Sequence, residues 1–376
     1  MDKLEDSIKK LGFGLMRLPR NGKEIDIEQT KQMVDEFIKA GFTYFDTAWI
    51  YEGSEDAAKA ALVDRYPRES FQLATKNAAW NNCKCREDAI AQFETSLQRT
   101  GAKYFDFYLL HNLGGERSEI FEKFHLWEFF LEKKKEGLIK HLGFSCHTTP
   151  EDLDSILTKH PEAEFVQLQI NYADWDNPDV QAGRCYEMAR KHKKPIIVME
   201  PVKGGMLTKP HPAVAEIFKE ANPNVSLASW CIRFAASLDG VITVLSGMSD
   251  LQQMRDNLSF MKDFQPLSPE EQNVIGDACD AINGLPLIQC TSCNYCAKVC
   301  PQNIGISGAF TAMNYLTIYG DNEATRGQYY WHVTAPGKKD PVDCVQCGKC
   351  EKVCPQHIKI RMHLQDVAEA FQQTKK

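Results

Sequence analysis

Two cysteine runs near the C-terminal end constrain this chain more than any other feature. The first reads Cys290-x2-Cys293-x2-Cys296-x3-Cys300-Pro301, and the second reads Cys344-x2-Cys347-x2-Cys350-x3-Cys354-Pro355. This spacing sets four thiolates around a 4Fe–4S cube. A lone C-x2-C pair would leave zinc open, but two complete runs closed by proline argue against it. In two-cluster ferredoxins the fourth cysteine of each run ligates the cluster of the other run. One cube is therefore expected on Cys290, Cys293, Cys296 and Cys354, and a second on Cys344, Cys347, Cys350 and Cys300.

The remaining composition removes other classes. The chain has 376 residues and 14 cysteines, of which eight stand in the two runs. The other six (Cys83, Cys85, Cys146, Cys185, Cys231, Cys279) show no framework spacing, so a disulfide-built secreted module does not fit. A net charge of −7 disfavours nucleic acid as a partner. No apolar run reaches membrane-spanning length, and residues 1–6 are too charged for a secretory signal. Clusters and free thiols together predict a cytoplasmic location. Cys83, Cys85 and Cys146 read either as redox relays or as plain thiols.

Upstream of the cysteines, short β-rich runs alternate with helical patterns. Strands are predicted at 12–18, 43–47, 71–76, 105–111, 139–145, 165–171, 195–200 and 241–246. Helices are predicted at 27–40, 86–100, 120–136, 179–192 and 251–261. Eight βα units in this length predict an α/β fold, a (β/α)8 TIM barrel. A doubly wound sheet is the alternative, but no G-x-G-x-x-G follows a predicted strand. The barrel is expected over 1–265, a helical linker over 266–289, and a ferredoxin-like domain over 290–376. Ser268 and Glu271 read as a capping box for a linker helix over 269–283, ended by Gly284 and Pro286. The spacer between the cysteine runs predicts an inserted helix pair, one of them around 307–319. The aromatic run Phe121, Phe124, Trp127, Phe129 and Phe130 reads as core packing or a docking surface.

In such a barrel, chemistry sits at the C-terminal ends of strands. Asp46, Lys76 and His111 end the second, third and fourth predicted strands, and Tyr51 follows Asp46 by five residues. A phenol is a poor acid–base group at neutral pH unless its pKa is shifted. Tyr51 is read as the group that exchanges the proton, with Lys76 lowering its pKa. Asp46 would fix Lys76, and His111 would orient the substrate oxygen.

Four motifs then point to a family. Gly12-Phe13-Gly14-Leu15-Met16-Arg17-Leu18-Pro19, Phe45-Asp46-Thr47-Ala48-x2-Tyr51, Ala74-Thr75-Lys76 and Leu109-Leu110-His111 resemble the aldo-keto reductases. With the cysteine runs, the whole chain resembles the bacterial members fused to a ferredoxin-like domain. The resemblance implies the barrel, the Asp46–Tyr51–Lys76–His111 tetrad, and a small carbonyl or alcohol substrate. It also implies an NAD(P)(H) pocket that includes Gly14, Ser145, Gln167, Asn171, Ser246, Gly247 and Asn257. The pocket departs from the pattern in places. Cys146-His147 follows Ser145 where the family has Asn, and Met199 stands where the family stacks a tyrosine. The Lys and Arg that hold a 2′-phosphate are missing, with Arg255 nearby. NADPH preference over NADH is therefore not expected.

Nicotinamides move hydride, whereas clusters move single electrons, and a flavin handles both. Lys203-Gly204-Gly205 and Ser246-Gly247 are glycine-bearing loops suited to phosphate. Nicotinamide and flavin thus both stay open for the barrel. The favoured reading is an oxidoreductase whose clusters exchange electrons with an external carrier of ferredoxin or flavodoxin type. The alternatives are an NAD(P)H-dependent carbonyl reductase with structural clusters and an electron-transfer module with a vestigial barrel.

Overall fold

The computed structural model describes residues 8–178 and 180–372. Eight parallel strands close on themselves: β1 (Leu11–Gly14), β2 (Tyr44–Asp46), β3 (Gln72–Asn77), β4 (Phe105–Leu113), β5 (Ile139–Cys146), β6 (Val166–Gln169), β7 (Ile196–Met199) and β8 (Val241–Ser246). Closure is made by β1, which pairs with β8 from Leu11–Val244 to Phe13–Ser246 and with β2 from Gly12–Tyr44 to Gly14–Asp46. The strands read as continuous apolar runs because the barrel buries both their faces. Tyr44, Phe107, Leu109, Phe165, Ile197 and Leu245 share one buried cluster. Gly143 is required by packing, since a Cβ there would lie 2.5 Å from the Phe165 carbonyl oxygen.

Several predicted boundaries move. The first strand ends at Gly14, and Leu15–Arg17 turns as a 3-10 helix. The helix predicted over 120–136 is two helices, Glu116–Lys123 and Leu126–Lys135, broken at His125 with φ 50°. Phe121, Trp127 and Phe130 are buried, so that aromatic run is core rather than docking surface. The helix predicted over 179–192 is observed as Ala182–Lys191, and Asp179 lies outside the described residues.

The chain divides into two units, one of Met1–Pro201 with Ala228–Ser268, the other of Val202–Leu227 with Pro269–Lys376. This differs from the expected boundaries at 265 and 289. The helix Pro269–Asn283, read as a linker, packs against Pro212–Ala221 inside the second unit. The long helix predicted around 307–319 is Ile306–Tyr319, and it packs against Ile360–Gln372.

The two cysteine halves of that unit repeat at an offset of 54 residues. Left-handed backbone recurs at matched positions, Ser292 (φ 51°) with Gln346 (56°), Asn294 (59°) with Gly348 (69°), and Asn303 (54°) with His357 (51°). The helices Ile306–Tyr319 and Ile360–Gln372 also begin 54 residues apart. Such turns wrap a short chain around four convergent side chains, which extended backbone cannot do.

Candidate active site and metal centres

β2 and β3 are neighbours, with Asp46 opposite Ala74, so Lys76 stands two residues further along β3 on the same face and reaches back to Asp46. Lys76 is fully buried and donates from Nζ to Asp46 Oδ1 at 2.5 Å and to the Thr47 carbonyl at 2.7 Å. Burial pushes the Asp46 carboxyl up and the Lys76 ammonium down, and each charge opposes the other's shift. The Lys76 Nζ lies 5.2 Å from the Tyr51 ring centroid. His111, on β4, meets the Tyr51 ring edge-on at 5.8 Å. The structure thus brings all four predicted tetrad residues together.

The direction of the tyrosine shift corrects the sequence reading. Burial pushes the Tyr51 phenol above its ordinary range, and the Asp46 and Glu200 carboxylates push further, against Arg17. Burial and the Lys76 charge hold His111 well below the ordinary histidine value, so its imidazole is neutral. Its Nδ1 is buried without a hydrogen-bond partner. Trp80 fixes the same residue by donating from Nε1 to the His111 carbonyl at 2.7 Å.

The pocket residues sort into two groups. Ser145 accepts from the Asn112 backbone N–H at 2.9 Å, which leaves its own hydroxyl proton to donate. Gln167 donates from Nε2 to Met199 Sδ at 3.5 Å, and its Oε1 is buried without a partner. These two are available to a ligand. Asn171 lies past β6 and spends its amide on Asp174 at 2.8 Å and the Glu200 carbonyl at 3.2 Å. Asn257 donates to Ser246 Oγ at 2.6 Å. A Cβ on Gly14 would meet the Ser246 carbonyl oxygen at 3.5 Å and Gly247 Cα at 3.7 Å, so β1 and β8 touch there. Arg255 pairs with Glu36 at 2.6 Å on the surface.

Lys203 does not fit its predicted place. Lys203–Thr208 folds as a 3-10 segment of the second unit, with the Lys203 ammonium buried 4.9 Å from the Tyr315 ring centroid. The flavin expectation leaned on that loop, and nothing supports it. Cys146 is buried with its thiol pushed far up by burial, and Cys83 is pushed up as well, so neither thiol is primed to react.

In the second unit, one cleft is lined by Cys290, Cys293, Cys296 and Cys354. The other is lined by Cys300, Cys344, Cys347 and Cys350. Each gathers three cysteines of one run and the last of the other. The two clefts are alike in size, about 340 and 320 Å³ with their open mouths. Their other walls are mostly apolar, Ile306 and Phe310 in the first, Ile304 and Leu364 in the second. Four thiolate donors in a small apolar cleft fit a 4Fe–4S cube.

The aldo/keto reductase family model matches residues 10–280, and the 4Fe-4S dicluster domain model matches 289–359. The chain belongs to the aldo/keto reductase family. This aldo/keto reductase is an oxidoreductase that carries a 4Fe–4S dicluster domain. It is 29% identical over 152 residues to an aldo-keto reductase of Mycolicibacterium smegmatis, covering 40% of this chain and 50% of that protein. The match thus spans half of that relative's length. It is 27% identical over 248 residues to a 9,11-endoperoxide prostaglandin H2 reductase of Trypanosoma cruzi, covering 64% and 79%. Among solved structures it is similar to the holo form of an aldo-keto reductase from Bacillus halodurans, with TM-score 0.55, 24% identity, and 72% and 92% of the chains covered. A Klebsiella pneumoniae aldo-keto reductase in complex with NADPH aligns with TM-score 0.57, 21% identity, and 72% and 90% covered.

Three residues of this aldo/keto reductase's site were missed in the sequence. Arg17 and Glu200 flank Tyr51 electrostatically, and Trp80 anchors His111. Arg17 lies within the quoted first motif, and Glu200 follows a strand end, so both carried a signal. Trp80 did not. Among the described residues no helix is long and apolar enough to cross a membrane.

Proposed function

We propose that this aldo/keto reductase interconverts a small carbonyl compound and its alcohol at the C-terminal end of the barrel. Its two cluster sites exchange single electrons with an external carrier. One observation carries the catalytic part: a fully buried Lys76–Asp46 pair is set against the Tyr51 ring, with neutral His111 edge-on to the same ring. A phenol keeps its proton at neutral pH, with or without the upward push of burial. Tyr51 Oη is therefore a proton donor to the substrate oxygen, which suits the reductive direction. The remaining N–H of neutral His111 holds that oxygen in place. Lys76, held by Asp46, sets its ammonium 5.2 Å from the Tyr51 ring centroid.

A nicotinamide bound at the barrel mouth would supply the hydride. The orphaned groups suit its carboxamide. Gln167 Oε1 can accept from the amide NH₂, and the Ser145 hydroxyl can donate to the amide oxygen. Met199 beside Gln167 gives an apolar wall for the ring. The NADPH in the similar Klebsiella structure supports this choice over flavin. The eight cysteines would hold two cubes that carry single electrons to and from an external carrier, while the hydride accounts for both electrons of the carbonyl reduction.

The test is Tyr51→Phe in anaerobically purified protein, assayed on a panel of small aldehydes and ketones. Turnover is expected to fall by about 10²–10⁴-fold, the range for a general acid. Iron content and nicotinamide affinity should not change. Near-normal turnover would remove Tyr51 from the chemistry.

A further inference from the structure

The two cluster clefts repeat in backbone but not in charge. No lysine or arginine lines the first cleft, whereas Arg361 lines the second. Lys338 donates to Asn303 at 2.8 Å and Lys339 to Gln302 at 3.4 Å, and Gln302 is itself a wall of the second cleft. Lys349 follows Gly348, another wall residue. The residues at the matched positions of the first half, 54 earlier, are Gly284, Leu285, Tyr295 and Ser307. Lys338, Lys339 and Lys349 thus have no basic counterpart at the matched positions, while the first cleft has Lys359, between its wall residues Ile358 and Ile360, and Lys298 beside it. Lys338, Lys339 and Lys349 are exposed and form no ion pair with a carboxylate among the described residues. Arg361 is paired with Glu351.

The same rim exposes apolar side chains. Val342 is 55% exposed, Val345 in the cleft wall 56%, and Met362 45%. Apolar tips beside three exposed lysines, with Asp343 the exposed carboxylate next to them, suit a small, transient protein contact, the low end of interface size typical of electron-transfer pairs. The chain as a whole carries a net charge of −7. An acidic partner is therefore repelled over most of the surface and drawn to this patch, which orients it.

The geometry points to the rim of the second cleft, around Lys338, Lys339 and Lys349, as the docking face for a small acidic ferredoxin. It rests on the electron-transfer reading above and adds which cluster meets the carrier. One electron leaves the reduced ferredoxin and enters the oxidised cluster on Cys300, Cys344, Cys347 and Cys350, with no bond made or broken. The reverse transfer uses the same contact.

The experiment uses cluster-loaded full-length protein and a purified acidic 2Fe–2S ferredoxin. Binding is measured by calorimetry and electron transfer by anaerobic stopped flow, at about 20 mM and about 0.5 M NaCl, where screening lengths differ several-fold. Lys338→Glu/Lys339→Glu should weaken binding and slow transfer by about tenfold or more at low salt, with the gap closing at high salt. Lys338→Ala/Lys339→Ala should show a smaller loss in the same direction. Lys219→Glu, on the exposed helix Pro212–Ala221 of the same unit, should match the parent protein. Iron content and reduction by dithionite report that all variants are loaded. If the ferredoxin reduces every variant at the parent rate, or if Lys219→Glu is equally impaired, the docking face is wrong and the carrier reading stands. If dithionite reduces the clusters but ferredoxin neither binds nor reduces the parent protein, the carrier reading itself falls, and this face with it.

Discussion

In the barrel each strand is hydrogen-bonded to two neighbours in a closed ladder, whereas the described part of the C-terminal unit shows a single isolated bridge, Ile304–Lys339. The barrel's interior is continuous apolar packing. The C-terminal unit has a smaller core, in which the cysteines themselves pack beside Ile304, Phe310 and Leu364. The first region can hold its shape by burial and backbone bonds. The second has turns of left-handed backbone that converge on thiols, and thiols close together as anions repel unless metal joins them. Metal affinity in such a unit is folding free energy. The two regions should therefore fail under different stresses.

The largest expected effect is loss of iron. Chelation with mild oxidation should leave the barrel's circular dichroism and its protease resistance nearly unchanged. The segment after Pro269 should become rapidly cleaved, because small metal-built domains draw on the order of 10 kcal/mol from metal binding. A C-terminal segment that stays resistant without iron would break the comparison. The cleft composition sharpens it. Anaerobic protein should hold about eight iron per chain, four in each cube. Cys300→Ala should damage the cluster built on Cys344, Cys347 and Cys350, and Cys354→Ala the one built on Cys290, Cys293 and Cys296. Damage confined to each residue's own run would disprove the crossed grouping.

Next in size is the barrel's own buried charge. Lys76→Met strands the Asp46 carboxylate in a site with no solvent, and breaking a buried pair costs about 3–5 kcal/mol. Asp46→Asn/Lys76→Met should recover much of that loss in urea unfolding, because the stranded charge is gone. Iron content should stay at the parent level in both. A single variant as stable as the parent protein would show that the pair is not buried as described.

How much of this was readable follows the same division. Placement of Asp46, Lys76 and His111 at or near the C-terminal ends of their strands could be read because barrel strands announce themselves as apolar runs and the polar residue near each end stands out, although β3 and β4 run on to Asn77 and Leu113. The broken helix at His125 could not, because apolar spacing continues through the break and only backbone geometry records it. The raised Tyr51 pKa was also hidden. Sequence shows that a lysine is near but not how dry the pocket is, and desolvation with the Asp46 and Glu200 carboxylates outweighs Arg17. Asn171 looked like a cofactor contact since its type matched. Its amide is consumed by Asp174 and the Glu200 carbonyl, partners that chain order does not display. In the C-terminal unit the cysteine spacing was plain. The repeat beyond it was not, since the matched helices share backbone and few identical residues.

A smaller effect concerns the nicotinamide. With Arg255 held by Glu36, NADPH should bind no more tightly than NADH in fluorescence titration. Glu36→Gln frees the guanidinium and should raise the NADPH to NADH affinity ratio by about fivefold, roughly 1 kcal/mol for one exposed charge pair. A strong NADPH preference in the parent protein would overturn this.

An effect of similar size lies at the far end of the barrel, where Glu164 precedes β6. Burial alone would raise its pKa. Hydrogen bonds from His141 at 3.1 Å, Lys134 at 2.6 Å and the Leu142 backbone N–H at 2.9 Å overcome that and hold it at about 2, against 4.5 for the free side chain. A carboxylate whose folded pKa is depressed adds stability above its unfolded value. That stability is lost as pH falls through the folded one. The window is therefore from about 4.5 down to about 2. One pKa unit is about 1.36 kcal/mol, and partial solvent screening brings the contribution to roughly 1–2 kcal/mol. Glu164→Gln should be less stable than the parent protein by that amount in urea unfolding at pH 7, followed by tryptophan fluorescence. The gap should narrow steadily below pH 4.5. It should be the same with clusters intact or removed, since Glu164 and its partners all belong to the barrel unit. A gap that vanished on removing iron would mean that the two regions do not hold themselves independently, and the contrast between ladder and cluster would have to be given up.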